Sequence, residues 1–247
     1  MTALNRKLLR ELRASWGLLL CIAAIVAVGI SCFVALATCY RNLSGAKEAY
    51  YAQCRMADFS IELKKAPTAE VEALADVPGI AAVRARIQSA VTVDLPRSQE
   101  PINGVVLSLP SRRGPVINDV VMTQGSYFTN RRAAEVIVNE AFARRHDLHP
   151  GGKIHVILNN RRQELFIVGV AISSEFVYLI GKGGLLPDPE HFGVFYLKRD
   201  YMEDVFDFQG ACNQAVGLLT PETRDRPDAV LDRCELLLES HGVFTTI

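Results

Sequence analysis

A polar stretch near the middle of the chain has the residue types of a metal site. Residues 136–156 read VIVNEAFARRHDLHPGGKIHV, and four side chains that could act as ligand or base lie within ten residues: Glu140, His146, Asp147 and His149. Two histidines three residues apart can share one face of a helix and bind zinc together. However, Pro150 follows directly and ends the helix there.

The same stretch also has a structural explanation. Arg144, Arg145 and His146 are cationic side chains at the predicted carboxyl end of a helix, where positive charge is favourable. Glu140 lies six residues before His146 and projects toward another side. The pattern therefore predicts scaffold with no metal bound, and a metal site stays as the alternative.

The sequence carries none of the common catalytic or nucleotide-binding motifs. It has no G-x-x-x-x-G-K-[ST] loop for phosphate, no G-x-S-x-G nucleophile elbow and no H-E-x-x-H zinc motif. We therefore expect no catalytic residues, no cofactor and no enzymatic activity in this chain.

Composition excludes nucleic acid as the main partner. The chain has 247 residues, with 27 Lys and Arg against 27 Asp and Glu, and a formal net charge of zero. Phosphate binding requires a clear excess of basic side chains. The length is sufficient for one or two domains with a substantial core.

Hydrophobic residues are concentrated in residues 14–40, ASWGLLLCIAAIVAVGISCFVALATCY, which carry no charge. A helix of this length spans about 40 Å, more than the ~30 Å hydrocarbon core of a bilayer. Helices in soluble proteins keep a polar face, and this segment has none. The sequence predicts a transmembrane helix over 17–40, in which Gly17 and Gly29 permit close helix packing.

Two other interpretations of this segment are weighed. Ala35-Leu36-Ala37 resembles a signal-peptidase site, but the apolar region from Gly17 to about Phe33 is longer than the ~7–15 residues of most signals. Residues 36–39, LATC, approach a lipoprotein signal, although Thr38 is larger than the small residue usual before the cysteine. A retained anchor is the prediction.

The flanking charges predict the orientation of this helix. Before it stand four basic residues and one acidic residue: Arg6, Lys7, Arg10, Arg13 and Glu11. By the positive-inside rule, residues 1–16 then lie in the cytoplasm and everything after Tyr40 lies outside, in the periplasm or cell exterior. In residues 1–16, Leu8, Leu9, Leu12 and Trp16 share one helical face, so we expect an interfacial helix on the inner membrane surface.

The cysteines do not suggest a metal centre. Cys21, Cys32 and Cys39 fall in the membrane segment, and no C-x-x-C spacing occurs anywhere. An oxidising compartment would permit a disulfide between Cys212 and Cys234, which the sequence alone does not establish.

The outer portion alternates strand and helix patterns. Residues 57–63 place Phe59, Ile61 and Leu63 on one face of a strand, and Thr68 is a plausible cap for a short helix. Strand-like runs follow at 81–95 and 103–109. Asn139 caps a second helix, and 154–158 and 164–172 form a predicted hairpin. A strand at 214–220, a helix from Pro221 and a closing strand at 241–247 complete the pattern.

These patterns predict an α+β protein with one N-terminal transmembrane helix and a two-lobed periplasmic domain of small mixed sheets with helices. One lobe is discontinuous, over 41–110 and 206–247. The hairpin-rich lobe, 111–205, is inserted into it.

The run from Gly125 to Val170 resembles the periplasmic core of MacB/FtsX-type ABC transporter permeases. The shared features are a glycine and an aromatic residue, a helix opening and a glycine in the hairpin end: Gly125, Phe128, Asn139, Glu140 and Gly169. The basic start, the membrane helix and the segments 175–178, 187–189 and 192–194 also resemble that family. The resemblance covers nearly the whole chain.

The resemblance implies a permease subunit that lacks its own ATPase. It implies a cytoplasmic ABC ATPase partner, a second permease copy in a dimer, and a periplasmic adaptor or substrate protein. It also implies location in the bacterial inner membrane, with ATP hydrolysis relayed to the outer domain for export, lipoprotein release or mechanical signalling.

The family pattern has three more membrane helices after the outer domain, whereas this sequence ends at Ile247 on a predicted strand. We therefore expect a partial permease subunit. The alternative is a complete single-pass, membrane-anchored periplasmic binding or sensor protein, although about 13 cytoplasmic residues leave no room for an output domain.

Overall fold

The computed structural model describes residues 7, 10–11, 13–95, 102–129, 131–179 and 186–246. The chain divides into two units, Met1–Tyr50 and Tyr51–Ile247. The helices are α1 Trp16–Cys54, α2 Thr68–Glu72, α3 Glu140–Arg145, α4 Arg199–Phe206 and α5 Asp228–Leu238. The strands are β1 Phe59–Pro67, β2 Ile80–Arg86, β3 Gln88–Asp94, β4 Ile102–Leu109, β5 Val120–Gly125, β6 Glu135–Asn139, β7 Lys153–Leu158, β8 Arg161–Ser173, β9 Phe192–Lys198, β10 Ala211–Leu219 and β11 Val243–Thr246.

The first unit is dominated by α1, whose apolar side chains are exposed on every face. Leu18, Ile25, Phe33 and Leu36 each expose at least 66% of their surface, and no residue of its most apolar stretch is buried within the protein. Such surface is unfavourable in water and favourable in hydrocarbon. Among the described residues, α1 is the one helix long and apolar enough to cross a membrane.

Within the second unit, four antiparallel strands form what we call the small sheet, in the order β11-β1-β10-β2. One face is apolar because Phe59, Ile61 and Leu63 alternate along β1 and are all buried. This face packs against α2 and α5, whose inward residues include Val71 and Cys234. Burial of each large side chain contributes about 1.5–3 kcal/mol relative to exposure.

The remaining seven strands form the large sheet, in the order β5-β8-β6-β9-β4-β3-β7. β7 pairs with both β3 and β8, so six of the seven strands close into a ring and β5 extends the edge of β8. Two of the pairings, β4–β9 and β6–β8, are parallel. The side chains inside this ring form the main hydrophobic core, in which the Phe142 and Phe195 rings meet edge to face at 5.2 Å.

Two local sequence signals position this core. Asn159 and Asn160 both adopt positive φ, 46° and 59°, and join β7 to β8 in a two-residue turn that asparagine tolerates. The Asn139 side chain accepts a hydrogen bond from the Ala141 amide at 2.9 Å and so begins α3. The predicted hairpin and the predicted Asn139 cap are confirmed.

Close packing of β5 against β8 requires glycine at two positions. A Cβ on Gly169 would overlap Met122 Cε and lie 2.5 Å from the Ser126 carbonyl oxygen. Gly125 has φ +71°, and a Cβ there would overlap the Val168 carbonyl oxygen. Both contacts lie where β8 bends past β5, so these glycines allow the two strands to approach.

The predicted fold class is confirmed: an α+β protein with one long apolar N-terminal helix and two sheets. The strands of the large sheet all fall between those of the small sheet in sequence. The change of sheet occurs between Arg86 and Gln88, so β3 and β4 belong to the large sheet. Pairing of β3 with β4 and β7 decides this. The lobe boundaries themselves remain a prediction.

Three local predictions need correction. Residues 81–95 form two strands rather than one run, because the chain changes sheets at Ile87. Thr68 is the first residue of α2 and its hydroxyl accepts a hydrogen bond from Arg199 instead of capping the helix. The helix predicted from Pro221 begins at Asp228, since Pro227 cannot continue a helix from the residues before it.

The packing at Gly169 predicts a cost for any side chain there. We expect Gly169→Ala to lower the free energy of unfolding by about 1–3 kcal/mol, because the added methyl group forces β5 and β8 apart. The measurement is urea denaturation of the detergent-solubilised full chain, followed by circular dichroism. Gly114→Ala is the matched control, since nothing lies within 4 Å of a Cβ there. Equal stability of both variants would contradict this account of β8.

Candidate functional site

The residues predicted for the membrane interface and for helix packing lie in the first unit. Trp16 is the first residue of α1 and exposes 65% of its surface, while Leu8, Leu9 and Leu12 lie outside the described residues. A Cβ on Gly17 or Gly29 would meet nothing within 4 Å. These two glycines therefore leave the helix surface open to another helix, and their role in packing stays a prediction.

The histidine-rich stretch that suggested a metal site serves the scaffold. His146 Nε2 lies 2.9 Å from the Glu190 carbonyl oxygen, and its ring is tilted by 44° to that of Phe142, with 4.4 Å between the ring centroids. His149 Nε2 lies 3.0 Å from Asp147 Oδ1, beside the break at Pro150. No group of three or more His, Cys, Asp or Glu side chains in the described part of the chain could hold a metal ion.

The motif residues carried over from the family resemblance surround the bend of β8. Phe128 is half-buried against the main core, with its ring 4.8 Å from that of Tyr127. Glu140 is the acidic residue in the first turn of α3, directly after the Asn139 cap. Together with Gly125 and Gly169 they shape the second unit, and none of them lines the cleft described next.

A cleft with a volume of about 850 Å³ lies between the small and large sheets of the second unit. Glu62, Gln88 and Gln214 form part of one wall, and Val105 and Phe192 form part of the other. Its size is in the range of about 300–1,000 Å³ that small-molecule sites occupy.

Behind one wall of the cleft lies a buried ion pair that joins the two sheets. Arg86, at the end of β2, is 2% exposed and makes a bidentate contact with the Glu175 carboxylate, with Nη1 to Oε2 at 2.7 Å. Its Nε donates to the Gln214 side chain on β10. Asn118 Nδ2 also donates to Glu175, at 3.1 Å. The small sheet is thereby fixed to the segment that follows β8.

A second arginine lies next to this pair. Arg84 donates to the Ile117 and Ser108 carbonyl oxygens at 2.7 and 2.6 Å. Burial, followed by repulsion from Arg86, lowers the pKa of Arg84 to about 10. Keeping two cations in a buried strand is unfavourable unless each has partners. The carbonyl oxygens and Glu175 supply them.

Further polar contacts span the same junction. The Asn213 side chain accepts a hydrogen bond from the Gln88 amide at 2.8 Å and donates one to the Gln88 carbonyl at 2.7 Å. It thus pairs with both backbone groups of Gln88, as the backbone of a neighbouring strand would. Arg199, at the start of α4, donates to the Ala85 carbonyl and to Thr68 at 3.2 and 2.7 Å. The two sheets are therefore connected by directional hydrogen bonds at several points.

Another buried pair stabilises the loop between β5 and β6. Lys198 Nζ lies 3.0 Å from Glu135 Oε2, and both side chains are less than one-tenth exposed. Burial raises the pKa of Glu135, but hydrogen bonds from Thr129 and the contact with Lys198 outweigh it and hold the pKa below its usual value. Glu135 is therefore ionised and paired in the folded protein.

The outer cysteines are buried thiols. Cys54, Cys212 and Cys234 are free and buried, so the disulfide proposed between Cys212 and Cys234 is not formed. Burial raises the pKa of Cys212 to about 11 and also raises that of Cys234. Both pack as small apolar residues in the core of the small sheet.

Sequence reasoning missed Arg86, Glu175 and Gln214. The sequence held a signal for Arg86. In residues 80–87, IAAVRARI, Arg84 and Arg86 are two positions apart and so point to the same face of a strand that is otherwise apolar. Buried arginines need partners, so this pattern predicts an acidic residue elsewhere. The sequence offers 27 acidic candidates and cannot select among them.

The comparisons with known proteins give fold similarity only. No protein-family model matches the chain. No curated protein sequence matches it. The periplasmic region of MacB from Actinobacillus actinomycetemcomitans is 10% identical, with 76% of this chain and 87% of that one covered and a TM-score of 0.45.

Two further solved structures are similar in the same way. The extracellular domain of the noncanonic ABC-type transporter YknZ from Gram-positive bacteria is 14% identical, with 75% of this chain and 100% of that one covered and a TM-score of 0.47. A domain of a protein described as a permease from Porphyromonas gingivalis is 12% identical, with 75% and 84% covered and a TM-score of 0.39.

The buried ion pair predicts strong energetic coupling between its members. We expect Arg86→Met to cost about 3 kcal/mol or more of unfolding free energy, because it leaves a largely buried carboxylate unpaired. The double variant Arg86→Met/Glu175→Leu should cost clearly less than the sum of the two single changes. Urea denaturation of the four proteins in the cycle measures this coupling.

An exposed ion pair provides the control for this cycle. Arg162 and Asp94 form a contact at 2.7 Å with both side chains about half exposed. Arg162→Met should change stability by under about 1 kcal/mol. Additive costs for Arg86 and Glu175 would show that the pair does not join the sheets energetically.

The lowered pKa of Glu135 predicts a specific dependence of stability on acid. Its contribution is fully present above the unfolded-state pKa of about 4.3 and is lost as the pH falls through the lower folded-state pKa. We therefore expect the stability difference between wild type and Glu135→Gln to be large at pH 7 and to shrink below about pH 4. Urea midpoints at several pH values test this, and a pH-independent difference would contradict it.

Proposed function

We propose that this chain is a permease-type subunit of an ABC transporter of the MacB/FtsX kind. In this proposal ATP is hydrolysed by a separate cytoplasmic ABC ATPase, and this chain has no enzymatic activity of its own. The chain works in a dimer with a second permease copy. It passes the movement driven by ATP to its outer domain for export, lipoprotein release or mechanical signalling, together with a periplasmic adaptor or substrate protein.

The observation that carries the proposal is the complete exposure of apolar side chains around α1. A helix of this length with no polar face has no stable place in water, so a bilayer or other membrane helices must cover it. Gly17 and Gly29 offer two open positions for close approach of a neighbouring helix. A permease assembled from several helices would supply such neighbours.

The outer domain supports a mechanical role rather than a chemical one. Its buried charges, Arg86 with Glu175 and Lys198 with Glu135, are paired with each other and face packed protein. In the described part of the domain they join elements of structure, and no catalytic arrangement was predicted from the sequence. Directional contacts of this kind define a single geometry at the junction of the sheets, as transmission of movement requires.

The orientation that we propose places the N-terminus in the cytoplasm and the two sheets in the periplasm or outside the cell. The excess of basic residues before α1 supports it. The membrane would be the bacterial inner membrane. The free thiols of Cys212 and Cys234 are compatible with this location because both are buried away from oxidants.

A second candidate function is a membrane-anchored binding protein that needs no ATPase. The cleft of about 850 Å³ between the sheets favours it, since a binding protein requires such a site. The two candidates differ in one property: only the permease requires a tightly associated ATPase.

Purification of the full chain from its own membranes tests the proposal. We expect an affinity-tagged chain, extracted in mild detergent, to bring with it an ATPase activity that vanadate inhibits. The triple variant Leu8→Ser/Leu9→Ser/Leu12→Ser should lose at least about nine-tenths of that activity, because the interfacial helix then loses its apolar face. The assay is phosphate release per mole of tagged chain.

A variant with changed apolar residues far from the N-terminal segment is the control. Leu236 and Leu237 lie on α5 with 71% and 55% of their surfaces exposed. Leu236→Ser/Leu237→Ser should leave the associated ATPase unchanged. Absence of any ATPase from the wild-type preparation would overturn the permease proposal and favour the anchored binding protein.

A further inference from the structure

The cleft between the sheets has walls of contrasting chemistry. On the small sheet, Glu62 of β1 and Gln214 of β10 are register partners that face the cleft. Gln88 Nε2 donates to Glu62 Oε1 at 3.2 Å, which fixes one carboxylate oxygen toward this wall. With Asn213 alongside, this wall presents a carboxylate among amide groups.

The opposite wall and the rim add apolar and aromatic surface. Ala90 and Val105 are register partners on the paired strands β3 and β4, and Phe192 begins β9. Phe244 of β11 also lines the cleft and exposes 62% of its surface. An organic molecule in the cleft would thus meet aliphatic and aromatic surface on one side and polar groups on the other.

The charge of the lining is one-sided. Among the described residues that line it, the ionisable side chains are Glu62, Asp188 and His191, and none is Lys or Arg. Asp188 receives the Glu190 and His191 amides at 3.2 and 3.1 Å, and it lies 2.9 Å from His191 Nδ1. Arg86 is turned away into its pair with Glu175. Lys64 Nζ, 6.0 Å from the Phe244 ring centroid, is outside the lining.

We propose that this cleft binds an amphiphilic organic cation, a molecule with an apolar body and a basic amine or equivalent positive group. The carboxylates of Glu62 and Asp188 would attract the cationic group, and the rings of Phe192 and Phe244 favour it further through their π faces. The apolar body would lie on Ala90 and Val105. Anions would find no basic side chain among the lining residues that the structure describes, so we expect the cleft to discriminate by charge.

The volume limits the size of the ligand. A cleft of about 850 Å³ accommodates one drug-sized molecule or a few residues of peptide, and not a folded protein. Binding of a cation in the cleft would be a property of this chain beyond the proposed permease role, and it requires no ATPase. A membrane-anchored binding protein would use the same site. Loss of dye binding and absence of an associated ATPase are therefore measured in separate experiments.

Binding of a fluorescent cation tests the site directly. The probe is rhodamine 6G, with fluorescein as an anionic dye on the same ring system, and the readout is fluorescence anisotropy. The protein is the full chain in nanodiscs of phosphatidylcholine, and empty nanodiscs give the background. We expect saturable binding of one rhodamine 6G per chain and no saturable binding of fluorescein.

Three variants locate that binding in the cleft. Glu62→Gln/Asp188→Asn keeps the hydrogen-bond acceptors and removes both charges, and should weaken binding roughly tenfold because partly exposed charge pairs are modest individually. Ala90→Trp, at an exposed position of the lining, should abolish it by filling the cleft. Asp147→Asn neutralises a carboxylate with an 86% exposed side chain outside the cleft and should change nothing.

Three results of these binding measurements would overturn the proposal. Rhodamine 6G binding that survives both Ala90→Trp and Glu62→Gln/Asp188→Asn overturns the proposal, as does the absence of saturable binding to wild type. Equal affinity for fluorescein would leave a cleft without charge selection and would also overturn it. If thermal unfolding shows that Ala90→Trp is misfolded, Asn103→Trp blocks the cleft from the neighbouring strand β4, at an exposed side chain.

Discussion

Two sheets built from one chain must be held together where the chain passes from one to the other, and Arg86 lies at that point. The next residue, Ile87, is buried, and β3 begins directly after it in the large sheet. A buried guanidinium needs a fixed anionic partner, so the position of Glu175 and of the segment after β8 is set by Arg86. The cleft depends on the same pair, because Gln214 forms part of its wall and also receives Arg86 Nε.

In the large sheet, to which Arg86 connects the small sheet, six strands form a closed ring. A closed ring leaves few free edges, and its core is filled by side chains such as Phe142 and Phe195. Outside the ring, β5 pairs with β8, and the two strands approach so closely at Gly169 that a Cβ there would overlap Met122 Cε. Packing therefore explains both glycines that the family resemblance singled out. It gives neither of them a role in chemistry.

The two features on which our functional proposals rest are the apolar surface of α1 and the cleft between the sheets. The exposed apolar surface of α1 requires a membrane, and the cleft offers room for a small ligand. The histidine-rich stretch, which has the composition of a metal site, instead completes the end of α3 and its contacts with Phe142 and Glu190. Residue types that could do chemistry thus have a structural role there, while the features tied to function carry no catalytic motif.

The sequence by itself determined the membrane-spanning character of α1, the alternation of Phe59, Ile61 and Leu63, the Asn139 cap and the turn at Asn159-Asn160. Each depends on neighbours within a few residues, where hydrophobic period and turn chemistry act directly. Only the tertiary structure decided that the sheets change at Ile87, that Arg86 pairs with Glu175 and that Glu62 and Phe192 face one cleft. Arg86 and Glu175 are 89 positions apart, and Glu62 and Phe192 are 130 positions apart. Local patterns carry no information about which distant partner a buried charge or a strand edge will find.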